Sequence, residues 1–486
     1  MCKYLYGAAV QGIQDFIFKT NELKHIVGAS ELVEQICTSA FNKLLEDCEI
    51  KTGESVVRAA GNIKFIFDKK EDCKKVVREF PKRVTTMAPG ITISQAVVSM
   101  DDDFGKAIDE LEALLKVQRN KPPHSVLSGL LGIKRTNNTG LPVVRIKNGE
   151  YMDDSTMQKE CFQDVKGLCK KSFGEEAISS KSVAYNISEI TDKNDWIAIV
   201  HADGNGLGKV VQVVGKKKDV FRDFSQKLDL ATKEAANVAF ATISKMFNNK
   251  TIIPIRPIVL SGDDMTVIIR GDLALEYTNA FIEAFEEKTK EYLGEILKEQ
   301  KVFAENKDNL TACAGIAYIK SSYPFYYGYQ LAEELCGHAK KETKAIYGAD
   351  TNHLPPSCIM FHKVQDSFIF DYADIVKREL TAKDGLSFKA GPYYIHSQEN
   401  KTTVSQLKEY CTMLNNSNED GVKSGIRNWM SIRIENKSKA DQRKDRMLQI
   451  FIDETVVKAL TNEKDNRCIA YDVLAYHTIM NQQTNE

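Results

Sequence analysis

The chain has 486 residues, with 66 basic and 67 acidic side chains and a net charge of −1 at pH 7. This balance argues against a strong, sequence-independent grip on nucleic acid, which needs a basic surface. The length predicts about two to four domains, and 43% hydrophobic with 27% charged residues is typical of a soluble globular protein.

No apolar run is long enough to span a bilayer, and the N-terminus lacks a signal-peptide pattern. The sequence therefore predicts a cytoplasmic protein without a membrane partner. The eleven cysteines are odd in number and include no C-x-x-C pair. This pattern predicts reduced, mostly buried thiols and no structural zinc site.

The sequence of residues 1–120 predicts one palm domain. The predicted elements are a strand at 4–10, a helix at 29–46, a hairpin at 55–67, a helix at 70–80, a strand at 91–100 and a helix at 104–118. The order βαββαβ is that of a ferredoxin-like palm. Residues 121–190 are richer in Gly, Asn, Lys and Ser and predict a small irregular connector.

Residues 191–355 repeat the same order. The predicted elements are a strand at 196–202, a helix at 220–247, a hairpin at 252–269, a helix at 272–299, a strand at 310–319 and a helix at 325–342. Residues 356–486 are polar with helical periodicity and predict a C-terminal helical domain. The sequence thus predicts an α+β fold built around two palms.

The two predicted palms differ in their carboxylates. When the copies are aligned, Asp203 falls opposite Val10, while Asp263 and Asp264 fall opposite Gly61 and Asn62. The first copy keeps the apolar framework and lacks these carboxylates. We therefore expect one catalytic palm and one structural palm.

The predicted catalytic residues are Asp203, Asp263 and Asp264. The last two lie in Ser261-Gly-Asp-Asp264, a hairpin turn between apolar strands, and Asp203 ends another apolar strand. A glycine-opened turn lets neighbouring side chains converge on one site, and oxygen ligands suit two Mg²⁺ or Mn²⁺ ions. We expect Gly204 beside these metals. Asp-Asp after Gly is also common in ordinary solvated turns.

A glycine-rich turn follows the strand that ends at Asp203. Backbone amides at such a strand-to-helix turn suit a triphosphate, although a lone Gly-x-Gly-x-Gly is weak evidence. The predicted nucleotide-binding residues of the two turns are Gly204, Asn205, Gly206, Leu207, Gly208, Ser261 and Gly262. His201 shares a strand face with Asp203, and we interpret it as structural rather than as a base.

Several of these motifs together carry a family resemblance. Gln11-Gly-Ile-Gln-Asp-Phe-Ile-Phe18, Gly28-Ala-Ser-Glu-Leu32, the double palm and the Gly-Asp-Asp hairpin resemble the large polymerase-like subunit of type III CRISPR effector complexes. That family is related to GGDEF cyclases. The resemblance implies synthesis of cyclic oligoadenylate from ATP, with Asp263, Asp264 and Asp203 at the metal positions and Lys340 or Lys341 at the phosphates. It also implies other effector subunits and guide RNA as partners.

Three departures from that family qualify the resemblance. Ser261 stands where the family has a first glycine, and no cysteines surround Thr139-Gly-Leu-Pro142, which resembles the family's zinc insert. No His-Asp dipeptide occurs, so we expect no DNA-cutting nuclease activity. The chain is also shorter than the typical large subunit, which leaves open a stand-alone enzyme.

Two other functions remain open from the sequence. The same scaffold suits a cyclase that makes a cyclic dinucleotide or a cyclic mononucleotide, because the sequence does not define the base pocket. A non-enzymatic scaffold subunit of an RNA-guided complex is the alternative from another class.

Overall fold

A computed structural model gives the fold of the chain. The structure describes residues 3–59, 61–101, 103–120, 132–137, 139–191, 195–247, 251–304, 307–347, 352–365, 371–417, 421–451 and 454–480. Among these residues, no helix combines the length and the apolar character needed to cross a membrane.

The first palm has the predicted order of elements. They are β1 (Lys3–Gln11), α1 (Ile13–Phe18), α2 (Leu23–Gln35), α3 (Phe41–Asp47), β2 (Glu54–Ala59), β3 (Asn62–Phe67), α4 (Lys70–Met87), β4 (Thr92–Met100) and α5 (Phe104–Arg119). A π-helical turn, Ile36–Ala40, joins α2 to α3. The antiparallel sheet has the strand order β2-β3-β1-β4.

The connector is more ordered than the sequence predicts. It contains β5 (Arg145–Lys147), β6 (Glu150–Met152), α6 (Asp154–Cys161), α7 (Gly167–Phe173), α8 (Glu175–Ser180), β7 (Ser182–Val183) and α9 (Ile187–Thr191). Asp153 caps α6 by accepting the Thr156 N–H at 2.9 Å, which satisfies an amide that the helix itself leaves without a partner. Helix α6 packs on α2 and α7 packs on the second palm.

The second palm repeats the order of the first. Its elements are β8 (Trp196–Gly204), α10 (Leu207–Val214), α11 (Lys218–Ser244), β9 (Ile252–Ile253), β10 (Ile255–Ser261), β11 (Asp264–Arg270), α12 (Gly271–Glu299), β12 (Ala312–Lys320) and α13 (Phe325–Ala345). A 3₁₀ turn, Lys245–Phe247, follows α11. Strand β8 lies between β11 and β12, all antiparallel.

The C-terminal region contains the predicted helices and also two strands. Its elements are β13 (Cys358–Lys363), α14 (Tyr372–Glu379), β14 (Tyr393–Tyr394), α15 (Val404–Asn416), α16 (Val422–Glu435), α17 (Lys437–Ile450), α18 (Glu454–Leu460) and α19 (Ala470–Met480). The second sheet has the order β10-β11-β8-β12-β13-β14, so it continues past residue 355, where the sequence predicts only helices. A short buried apolar run such as β13 does not reveal its type by periodicity.

The two palms face each other reciprocally. Helix α2 of the first palm packs on β10 of the second, and α11 of the second packs on β2 of the first. Ser30 of α2 donates its hydroxyl to the carbonyl of Ile258, while Lys218 of α11 pairs with Glu54 at 2.7 Å. The predicted α+β fold, with two palms and C-terminal helices, is confirmed.

Alternate residues of the central strands fill opposite layers, as strand geometry requires. Ala198, Val200 and Ala202 of β8 lie in one buried cluster, and Ile197 and Ile199 lie in another that continues into the first palm. Burial of a large aliphatic side chain contributes about 1.5–3 kcal/mol. Both layers therefore hold β8, and Asp203 at its end, in a fixed position.

Candidate active site

The Gly-Asp-Asp hairpin is a tight turn. Ser261 pairs with Asp264 across the end of β10 and β11, so Gly262 and Asp263 are the two turn residues. Gly262 has φ +62°, a left-handed conformation that glycine adopts at little steric cost and that such hairpin turns require. The turn therefore presents Asp263 at the tip and Asp264 at the first position of β11.

Strand β8 brings the third carboxylate to this tip. Ala202 pairs with Met265, which places Asp203 beside the start of β11. A Cβ atom on Gly204 would lie 2.8 Å from the Cβ of Asp263, so only glycine lets the turn pack this closely on β8. One carboxylate oxygen from each of Asp203, Asp263 and Asp264 lies within 4.8 Å of the others.

The charges of this cluster fit a divalent cation. Burial, followed by the charges of Asp264 and Asp203, raises the pKa of Asp263 well above its ordinary value. Burial and then the charge of Asp203 raise the pKa of Asp264 to about 7. Both carboxyls are thus harder to ionise without a cation, and a divalent cation among these converging oxygen ligands, which Mg²⁺ and Mn²⁺ prefer, would favour their ionised forms.

Lys340 is the cation that the structure places against the carboxylates. Its Nζ forms an ion pair with Asp203 and donates to the Gly204 carbonyl at 2.7 Å. Burial lowers the pKa of Lys340, but the charge and hydrogen bond of Asp203 outweigh it, and the net shift is upward. Lys341, the other lysine proposed from the resemblance, is exposed on α13.

The glycine-rich turn leads into α10 as predicted, with Gly206 as its N-cap residue. The first amides of a helix lack partners within the helix, so those of Leu207 and Gly208 can serve a phosphate. Asn205 is different: it is buried and its N–H donates to the Thr311 carbonyl at 2.8 Å. Its backbone N–H is therefore not available to a phosphate, although the sequence analysis predicted Asn205 among the nucleotide-binding residues.

Two residues that the sequence analysis missed support the hairpin from outside. Lys171 of α7 donates to the Leu260 carbonyl at 2.7 Å and pairs with Asp229 of α11 at 2.9 Å. Thr232 of α11 donates to the Gly262 carbonyl. They lie 89 and 30 residues from their partners along the chain, so no local motif marks them.

His201 has the structural environment that we expected. Its Nδ1 lies 3.1 Å from the Thr266 hydroxyl, and its ring meets Tyr329 edge-on at 5.8 Å between centroids. Burial lowers its pKa to about 4. With this lowered pKa the imidazole is a weak base at pH 7, and its contacts with Thr266 and Tyr329 fit a structural role.

The first palm lines the approach to the hairpin. A cavity of about 80 Å³ lies between α1, α2 and the end of β10, and its lining includes Gln14, Glu34, Ser261 and Asp264. Burial raises the pKa of Glu34. The carboxylate hairpin therefore faces side chains of the first palm, which has no counterparts of Asp203, Asp263 and Asp264.

Comparisons with known proteins agree with this geometry. Residues 196–346 match the family model of the Cas10/Cmr2 second palm domain. The match covers the strand of Asp203, the hairpin and the helix of Lys340. No curated protein matches the sequence.

Solved structures similar to this chain are Csm1–Csm4 assemblies. The complex with pppApA has a TM-score of 0.57 at 14% identity, covering 99% of this chain and 69% of the other; the values for the complex with cA3 are the same. The subcomplex of the type III-A CRISPR-Csm interference complex has a TM-score of 0.54 at 14% identity, with 98% and 70% covered. The resemblance drawn from the sequence is thus confirmed for the second palm and the fold.

Proposed function

We propose that the protein is a metal-dependent nucleotidyltransferase that makes cyclic oligonucleotide second messengers, with cyclic oligoadenylate from ATP as the product. The observation that carries the proposal is the convergence of Asp203, Asp263 and Asp264, whose carboxylate oxygens lie within 4.8 Å of one another. A scaffold has no need to concentrate three carboxylates whose like charges repel one another.

The similar structures support ATP as the substrate. Structures of Csm1–Csm4 with this fold contain one ATP, pppApA or cA3. These compounds correspond to the start, an intermediate and the end of a path from ATP to a ring of three nucleotides. By analogy, type III CRISPR signalling is the context in which we place this chain.

The aspartates, the backbone amides and the lysine of the candidate site have different roles. When bound, two Mg²⁺ or Mn²⁺ ions at Asp203, Asp263 and Asp264 would lower the pKa of the attacking hydroxyl and stabilise charge on the phosphates. The amides of Leu207 and Gly208 bind the triphosphate of the first ATP. Lys340 neutralises charge on that triphosphate. Its ion pair with Asp203 holds the ammonium group close to the place where the triphosphate binds.

The acceptor nucleotide binds between the hairpin and the first palm, where Gln14 and Ser261 line the approach. Its ribose 3′-hydroxyl (or 2′-hydroxyl) attacks the α-phosphorus, a new phosphodiester bond forms, and pyrophosphate leaves. Repetition lengthens the chain, and attack by the terminal hydroxyl on the α-phosphorus of the 5′ triphosphate closes the ring and releases a further pyrophosphate. The packed interface of the palms holds the two nucleotides in one orientation.

The test is incubation of the purified protein with each NTP and Mg²⁺ or Mn²⁺, with products identified by mass spectrometry. We expect cyclic oligoadenylate from ATP. A cyclic dinucleotide or mononucleotide would assign the other cyclase chemistry. Absence of any product, together with copurifying RNA and effector subunits, would assign the protein as a scaffold and overturn the proposal.

A further inference from the structure

A second cavity lies in the C-terminal region, away from the carboxylates. It measures about 610 Å³, within the range of about 300–1,000 Å³ that is typical of small-molecule sites. It lies between α13, the segment after β14, α15 and the turn before α19. Its lining includes Lys401, Gln406, Tyr410, Asn462, Lys464 and Arg467.

One wall of this cavity is a turn fixed by several bonds. Lys464 and Arg467 exchange backbone hydrogen bonds of 3.0 and 2.9 Å, with Asp465 at φ +50°. The Arg467 guanidinium pairs with Glu342 at 3.0 Å and donates to the Gly391 carbonyl at 2.9 Å. The turn is therefore anchored to the second palm through α13.

The opposite wall is anchored as well. The backbone N–H of Tyr394 donates to the Thr402 carbonyl at 2.9 Å, and the backbone N–H of Lys401 donates to the Gln398 carbonyl at 3.2 Å. Asn400 has φ +56°. Left-handed backbone at a non-glycine residue costs free energy and persists where surrounding contacts enforce it, and Asn400 and Asp465 both line this cavity.

The lining favours an anionic, ring-containing ligand. Arg467 is already paired with Glu342, whereas Lys401 and Lys464 are exposed and make no ion pair within the described part of the chain. The lining therefore has two ammonium groups that form no ion pair, and only one such carboxylate, that of Asp465, among the described residues. Amide side chains both donate and accept hydrogen bonds, as a base edge requires, and the half-buried ring of Tyr410 offers a stacking surface.

We propose that this cavity is a nucleotide-binding site separate from the candidate active site, with the phosphate at Lys401 and Lys464 and the base against Tyr410 and the neighbouring amides. None of the three clustered aspartates lines it. Helix α13 contributes to both places through different residues: Lys340 reaches Asp203, and Glu342 reaches Arg467.

Calorimetric titration of the full chain with AMP in EDTA tests the proposal, because a site made by carboxylates needs metal to bind phosphates, whereas this cavity does not. We expect one AMP per chain. Lys401→Glu with Lys464→Glu should weaken AMP binding about tenfold or more, and Tyr410→Ala about tenfold. Lys439→Glu, which reverses one lysine charge at an exposed position of α17, should leave AMP affinity unchanged.

Circular dichroism and thermal unfolding of each variant establish that it is folded. The proposal is overturned if AMP does not bind in EDTA, or if the double charge reversal binds AMP as wild type does. Equal affinity for ribose 5-phosphate would overturn the base contact. Loss of AMP binding in Lys340→Met, or in Asp263→Asn with Asp264→Asn, would assign the signal to the candidate active site, whereas retained binding in both variants supports the second site even if the protein proves inactive.

Discussion

At the scale of single residues, the pKa of Asp264 makes metal affinity depend on pH. A carboxyl must be ionised to bind a metal, and burial with the charge of Asp203 raises this pKa to about 7. Metal binding must therefore displace a proton below pH 7. We expect Mn²⁺ affinity, measured by calorimetry, to rise between pH 6 and 7 by up to about tenfold per pH unit for each proton displaced. Equal affinity at pH 6 and 8 would contradict this assignment.

The same shift predicts a pH-dependent effect on stability. The pKa of Asp264 is raised from 3.8 to about 7 on folding, so the folded chain holds this proton more tightly than the unfolded chain. The stability that this provides is present below about pH 4 and is lost as pH rises through 7. Asp264→Asn should therefore stabilise the metal-free protein by about 1–3 kcal/mol at pH 8 and by less at pH 5.

Thermal unfolding in EDTA at both pH values measures this difference. Glu283→Gln, at an exposed position of α12, is the matched control and should change the unfolding temperature equally at both pH values. A larger gain for Asp264→Asn at pH 5 than at pH 8 would show that the sign is wrong.

Lys340 and Lys341 form a natural pair of variants. Lys340 contacts Asp203 and the Gly204 carbonyl, whereas Lys341 is exposed. Lys340→Met should reduce the rate of pyrophosphate release from ATP by about 10²–10³-fold, as removal of one electrostatic stabiliser does. Lys341→Met should reduce it less than about twofold. The reverse order would assign the phosphate contact to Lys341.

At the scale of elements, the hairpin depends on neighbours distant in sequence. Lys171 holds the Leu260 carbonyl at 2.7 Å, three residues before Asp263. Lys171→Met should weaken Mn²⁺ binding about 10-fold or more. Removal of a group that orients a metal ligand typically lowers metal affinity about 10–100-fold. Lys170→Met, on the exposed side of the same helix, should not. Unchanged Mn²⁺ affinity in Lys171→Met would limit Lys171 to joining the connector to α11.

The element order was predictable because its signals are local. Alternating or continuous apolar runs bounded by turn residues predicted β8, β10 and β11, and the Gly-Asp-Asp turn predicted the tip that carries two carboxylates. The supports of that tip were not predictable, since Lys171 and Thr232 are ordinary helix residues whose partners are fixed only by tertiary packing. The engaged amide of Asn205 likewise depends on Thr311, about a hundred residues away.

At the scale of the whole molecule, the first palm has a structural role although it lacks counterparts of Asp203, Asp263 and Asp264. Each palm packs one helix on the hairpin of the other, so the hairpin with Asp263 and Asp264 is held partly by α2 of the first palm. The repeat was visible in the sequence, but this reciprocal packing was not. The extension of the second sheet by β13 and β14 was also missed, because the short apolar run at 358–361 in β13 fits either a strand or a helix.

Three clustered carboxylates catalyse nucleotide joining in the function that we propose. The most direct measurement compares ATP products of the wild-type protein and of Asp263→Asn with Asp264→Asn, by mass spectrometry in Mn²⁺, with thermal unfolding as the check on folding. We expect cyclic oligoadenylate and pyrophosphate from the wild-type protein and neither product from the folded variant. Equal product from both proteins would contradict it, and the search for the reacting groups would move elsewhere in the molecule.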